Sequence, residues 1–302
     1  MTTHMHASPR IALVTGASSG IGLAAARGLA ERGFVVVTAS RADGRGAETA
    51  ERLALETGAD VRFLAADLSR PQAALALAEA YGDRFDRLDV LVNNAGVYVH
   101  GRTTTEDGFE RSFALNHLGP FATSLALLPL LERAAGRVVT VSSNAALGAR
   151  LQLDDPHSER RYSGWAAYAW SKLCNQLFTA ALARRTEGRG VRAYAMHPGF
   201  VATAFGHVGG PMGTLVRLMQ GAFGRTPERG ADSIVWLASE PEPPAPNGAY
   251  VVDRRVRPFA PKARDEEAQE RLWSLSEAAL ARVGVDVDRL GLGPSKPLAA
   301  DD

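Results

Sequence analysis

The feature that most constrains this chain is its rhythm: short apolar runs of strand length alternate with longer segments of helical period. The strand-like runs fall at 11–15, 35–39, 61–65, 90–92, 137–141, 191–195 and 249–252. Between them lie helical stretches at 22–32, 45–56, 72–81, 109–132, 165–185 and 228–238. Each is close to the length that a crossover between parallel strands requires. The pattern predicts repeated βαβ units and a doubly wound α/β fold with one parallel seven-stranded sheet. At 302 residues, with no internal repeat, the chain is expected to form a single domain.

Composition narrows the partners. With 46% hydrophobic residues, 22% charged residues and a formal charge of +1, the chain can bury a large core. It carries no basic excess to attract nucleic acid or anionic lipid. Its one cysteine, Cys174, reads as a core residue, and the seven histidines show no metal-ligand spacing, so no metal is expected. Residues 1–9 contain no long apolar run and read as a flexible leader rather than a signal peptide or anchor. The expectation is a cytoplasmic protein without a membrane partner, and a homo-oligomer is compatible with it.

Three stretches break the rhythm of the domain spanning 10–260. The polar insertion 145–164, with its LDDPHSERR, is too long and charged for a turn and reads as an excursion over the carboxyl ends of the strands. The segment 199–226 mixes seven glycines with apolar residues and reads as a lid. The run EPEPPAP at 240–246 can be neither helix nor central strand and reads as a rigid connection to the last strand. Beyond it, residues 261–302 form a C-terminal extension whose helical period offers Leu272, Trp273, Leu275 and Leu280 for burial.

The first strand runs into TGASSGIG at 15–22, where Gly16, Gly20 and Gly22 open a helix, with Ser18, Ser19 and Ile21 between them. Glycine lets the backbone turn sharply and approach a pyrophosphate, whose charge is met by N–H groups and the positive end of the helix dipole. A Rossmann-type dinucleotide site is the prediction, with a plain tight turn as the alternative. At the end of the second strand stands Arg41, where an acid would select a free ribose hydroxyl and a cation a 2′-phosphate. Arg41 thus points to NADP(H) unless it is merely a solvated surface arginine. Asp67 and Leu68 after the third strand, and Asn94, Ala95 and Gly96 after the fourth, fall on the same crevice.

Tyr168 and Lys172 stand four apart in YAWSK, on one face of a predicted helix, with Ser142 and Ser143 at the end of the fifth strand. A nearby ammonium favours phenolate and lowers a pKa of about 10 in water. Such a tyrosine can exchange a proton with an alkoxide or alcohol. Taken alone, the pair reads first as an amphipathic helix burying Tyr168 and exposing Lys172.

The ordered set TGASSGIG, DL, NNAG, Asn116, VSS, YAWSK and His197-Pro198-Gly199 resembles the classical short-chain dehydrogenase/reductase family from Arg10 to Asp253. The resemblance implies strand order 3-2-1-4-5-6-7, with Ser143 polarising the substrate oxygen and Tyr168 as acid/base. It implies that Lys172 also binds the nicotinamide ribose, that Asn116 holds a relay water, and that Pro198, Gly199, Val201 and Thr203 touch the cofactor. NHLGPF at 116–121, SKLCNQLFTAALARR at 171–185, the insertion and the late RLWSLSE are similar to the retinol dehydrogenase and protochlorophyllide reductase-like branch. The expected activity is hydride transfer between NADP(H) and a small to medium, apolar carbonyl or alcohol. Phe200, Phe205, Met212 and Leu215 of the lid supply the apolar lining, or simply pack the lid. The alternatives are a 3-oxoacyl-type reductase on a carrier-bound chain, for which Arg254, Arg255 and Arg257 are the one basic cluster, and a non-catalytic NADP(H)-binding sensor.

Overall fold

The computed structural model describes residues 9–199, 225–242, 245–286 and 290. The leader 1–8, residues 200–224 of the expected lid with Val201 and Thr203, residues 243–244, and the tail at 287–289 and 291–302 lie outside the described residues.

The chain runs β1 (Ile11–Thr15), α1 (Gly20–Ala30), β2 (Val35–Ser40), α2 (Arg45–Thr57), β3 (Val61–Ala65), α3 (Pro71–Gly82) and β4 (Val90–Asn93). It continues through α4 (Arg111–Phe113), α5 (Gly119–Ala126), α6 (Leu128–Arg133), β5 (Arg137–Val141), α7 (Gly164–Arg185) and β6 (Arg192–His197). It then forms α8 (Pro227–Ser239), β7 (Tyr250–Val252), β8 (Arg255–Arg257) and α9 (Glu266–Arg282). The sheet order is β3-β2-β1-β4-β5-β6-β7-β8. Thr15 pairs with Ala39, Asn93 with Thr140, and Val141 with Met196. The strands therefore end nearly level, and the loops that follow them share one edge.

Alternation along each strand divides the core. Ile11 and Leu13 join Phe113, Phe121, Trp170, Phe178 and Trp273 on the face covered by α3, α5, α7 and α9. Ala12 and Val14 join Leu29, Ile234 and Leu237 on the face covered by α1 and α8. Burial on both faces explains why β1 is apolar from Ile11 to Val14 rather than alternating. The C-terminal extension packs as its period predicts. Leu272, Trp273 and Leu280 of α9 are buried, Leu275 is partly so, and Trp273 stacks on Phe178 at 6.0 Å.

Two expectations are corrected. The sheet has eight strands, not seven: β8 returns antiparallel along β7, after a tight turn in which Asp253 (φ 51°) and Arg254 (φ 55°) are both left-handed. Its Arg-Val-Arg is wholly exposed, so no apolar run announces it. The helical stretch 109–132 is three short helices with a π-helical turn at Ala114–Leu118. Glu110 caps its start by accepting from the Ser112 and Phe113 amides at 2.9 and 2.7 Å. Pro120 lacks the N–H that a regular helix would offer the Asn116 carbonyl, and the turn widens there.

Candidate active site

At the β1 end, Gly16 (φ 66°) and Gly22 are positions where no side chain fits. A Cβ on Gly16 would lie 2.8 Å from Ala95 Cα, and one on Gly22 2.4 Å from both Asn94 Nδ2 and the Gly16 carbonyl. Asn94 fastens this turn, donating to the Thr15 and Gly16 carbonyls at 2.9 and 3.2 Å, while the Thr15 hydroxyl accepts from the Asn94 and Ala95 amides. Ser19, the N-cap of α1, makes no side-chain cap bond. The first N–H groups of α1 thus stay open to an anion, beside Ser18, Gly20 and Ile21. This cradle fits a dinucleotide pyrophosphate.

Arg41 is exposed at the end of β2, its nearest charged partner Asp43 at 3.8 Å. Asp43 pairs more closely with Arg45, at 2.6 Å. Asp67 Oδ1 accepts from the Ser69 amide and hydroxyl at 3.1 and 2.7 Å. The Leu68 side chain is buried in the core, and its carbonyl lies 2.6 Å from where a Gly119 Cβ would stand.

The second half of the site hangs on α7. Close approach fixes its start: a Cβ on Gly164 would lie 2.4 Å from the Val99 carbonyl. Farther along, the buried polar stripe of α7 is bonded to the end of β5. Lys172 Nζ and Asn175 Nδ2 both donate to the Val141 carbonyl, at 3.0 and 3.1 Å, and Gln176 Nε2 donates to Ser142 Oγ at 3.3 Å. These bonds allow an ammonium to be buried at 3% exposure. Asn116 is fully buried. Its side chain clamps Val97 in both directions, at 2.7 and 2.9 Å, and donates to Ser171 Oγ at 2.9 Å. Gly96 completes the junction, for a Cβ there would face Asn116 Oδ1 at 3.2 Å and Lys172 Nζ at 3.5 Å. Asn116, Ser143, Tyr168 and Lys172 are therefore gathered on one edge of the sheet.

The electrostatics correct one expectation. Burial pushes the Tyr168 phenol up to about 12, and its hydrogen bond with Ser143 only partly opposes this. Burial likewise pushes Lys172 down to about 8. The attraction of the Lys172 ammonium, which is turned to the Val141 carbonyl and stands 5.7 Å from the Tyr168 ring centroid, does not offset the desolvation of the phenol. Pro198 and Gly199 follow β6 as expected. The Arg225 guanidinium lies against Gly199 (φ 82°) and is held by a two-pronged pair with Asp253.

Sequence reasoning missed Tyr98, Leu147 and Trp165. The rings of Tyr98 and Trp165 lie 5.9 and 6.1 Å from that of Tyr168. Their signal was available in NNAGVY and in a tryptophan one turn before YAWSK. Cys174 is buried, with its thiol pushed up by desolvation, as a core residue should be. Among the described residues no acid, histidine or cysteine group could hold a metal ion, and no helix is long and apolar enough to cross a membrane.

A doubly wound sheet, a glycine cradle at its first turn and a Tyr-Lys helix beside it define a hydride-transferring oxidoreductase of the kind that uses nicotinamide cofactors. The chain belongs to the short chain dehydrogenase family, whose model matches residues 10–209. It is 39% identical over 285 residues to human retinol dehydrogenase 14, covering 88% of this chain and 84% of that one. It is also 39% identical over 279 residues to mouse polyprenol dehydrogenase, covering 88% and 82%. The Pseudomonas aeruginosa RhlG/NADP active-site complex superposes with a TM-score of 0.65 at 30% identity, over 80% of this chain and 93% of that one. The chain thus falls in the retinol dehydrogenase-like branch of the family.

Proposed function

We propose that the protein reversibly transfers hydride between NADP(H) and an apolar carbonyl or alcohol, with Tyr168 as proton donor and acceptor. The observation that carries this reading is the convergence of Ser143, Tyr168, Lys172 and Asn116 on the edge that also holds the open N-terminus of α1. The bound nicotinamide supplies or takes up the hydride. Ser143 and Tyr168 direct their hydroxyls at the substrate oxygen, and Tyr168, uncharged at neutral pH, gives its proton as the alkoxide develops. Lys172, protonated below about pH 8, supports the phenolate left behind and holds the ribose. The Asn116 carbonyl, without a Pro120 N–H, accepts from a water that returns a proton toward Lys172 Nζ. Arg41 meets the 2′-phosphate, which favours NADP(H). Pro198 and Gly199 border the nicotinamide side.

The names of the two relatives denote apolar alcohols, which agrees with an apolar substrate here. The carrier-bound reading loses part of its support, since Arg254 is engaged with Asp232 at 2.7 Å. Following NADPH absorbance across a panel of aldehydes, ketones and alcohols tests the proposal. Turnover of apolar members is expected, and NADPH binding without turnover of any member overturns it in favour of a sensor.

A further inference from the structure

Three of the four tryptophans are buried, Trp170 at 0%, Trp273 at 2% and Trp236 at 8% exposure, whereas Trp165 is 61% exposed. An indole left in water forgoes the stabilisation that its burial would bring, so its position carries information. Trp165 stands three residues before Tyr168 on α7 and therefore on the same helical face, with the two rings 6.1 Å apart and inclined at 40°. Its chain neighbours Ser163, Gly164, Ala166 and Ala167 are too small to cover it. Tyr98 meets Tyr168 edge-on at 5.9 Å. Leu147, 57% exposed, lies on the 3-10 turn Asn144–Gly148 that follows Ser143 directly and packs along α7. Two aromatic rings thus border Tyr168, and an exposed leucine stands on the turn that follows Ser143.

Resting on the hydride-transfer reading above, we propose that Trp165 is a specificity-determining residue. Its indole face receives a flat, unsaturated or aromatic group attached to the reacting carbon, and so favours such substrates over saturated ones of equal size. The occupant is the substrate rather than a partner protein, because this face is in ring contact with the tyrosine that exchanges the proton. Aromatic pairing makes a contribution that a saturated ring of the same carbon count cannot supply in full.

The matched probes are benzaldehyde and cyclohexanecarbaldehyde, with kcat/KM measured for the wild type, Trp165→Leu and Trp165→Phe. Trp165→Leu should lower the benzaldehyde-to-cyclohexanecarbaldehyde ratio by roughly threefold to tenfold, and Trp165→Phe should restore most of it. Taking the ratio between proteins cancels the intrinsic reactivity of the two aldehydes. Because Trp165 is exposed, neither variant threatens the fold, and NADPH affinity should not change in either. A wild type that reduces both aldehydes with a ratio indifferent to Trp165 overturns this proposal alone. A wild type that turns over other members of the panel but neither probe also overturns the role of Trp165, whereas one that binds NADPH yet turns over no aldehyde, ketone or alcohol of the panel overturns the hydride-transfer reading, and the role of Trp165 falls with it.

Discussion

The helices α1 and α7 both begin at the carboxyl edge of the sheet, yet they serve the site by opposite means. α1 contributes its backbone. Its glycines exclude side chains, its N-cap makes no cap bond, and Asn94 holds the preceding turn by its carbonyls. α7 contributes side chains, burying Ser171, Lys172, Asn175 and Gln176 against β5 with a bonded partner for each. A backbone site is damaged by adding atoms, and a side-chain site by removing them. The two should therefore fail differently.

The largest effect is expected on α7. Lys172→Ala removes the cation that supports the phenolate and holds the ribose, so turnover should fall about 10²–10⁴-fold and NADPH affinity should fall with it. Lys172 titrates near 8, charged below and neutral above, so wild-type reduction should decline as pH rises through about 8. Lys172→Arg, which stays charged, should move that decline upward. A wild-type alkaline limb that is unmoved by Lys172→Arg contradicts the assignment.

On α1, Gly22→Ala adds a methyl where backbone and Asn94 already stand at 2.4 Å. Overpacking of this kind costs about 1–3 kcal/mol, so NADPH and NADH affinity should fall together by roughly fivefold to a hundredfold. Retention of either affinity in titrations of the two cofactors shows that the turn does not bind the shared pyrophosphate. Arg41→Ala should separate the cofactors instead. Loss of a charge-assisted contact weakens NADPH by roughly tenfold to a hundredfold and leaves NADH nearly unchanged, and equal losses for both sink the 2′-phosphate role.

The smallest effect lies behind α7, where His117 packs on Phe178 at 6.3 Å. His117, next to Asn116, is wholly buried, and its Nε2 meets Ser276 Oγ of α9 at 2.8 Å. Ser276 donates to the Leu272 carbonyl, so it accepts from the imidazole, which burial keeps neutral with its pKa pushed down to about 3. Ser276→Ala leaves a buried donor unmatched and should cost about 1–3 kcal/mol in denaturant unfolding. Stability that depends on the neutral ring is lost as pH falls from 6.5, the ordinary value, toward 3. An unchanged midpoint in Ser276→Ala shows that this bond does not tie α9 to the domain.

What could be read from the sequence follows the same division. The glycine cradle was legible because only glycine tolerates such close approaches, and spacing alone reports them. Strand order followed from the family motifs, and burial of α9 from its own period. The eighth strand was not legible, because Arg255, Val256 and Arg257 are all exposed and carry no burial pattern. The π-helical turn hid inside a helical period that Pro120 interrupts. Tyr168 and Lys172 were legible as a pair, but not the direction in which the phenol moves, since that depends on how deeply the fold buries it.

The central claim is that the Tyr168 hydroxyl, held beside Ser143, exchanges the proton with the substrate oxygen. Tyr168→Phe removes that oxygen and keeps the ring contacts with Tyr98 and Trp165. NADPH binding and single-turnover reduction of an aldehyde accepted by the wild type should be measured on the same preparation. Cofactor affinity within about twofold of wild type, with single-turnover reduction slowed about 10²–10⁴-fold, is the predicted result. Full reduction by Tyr168→Phe contradicts it.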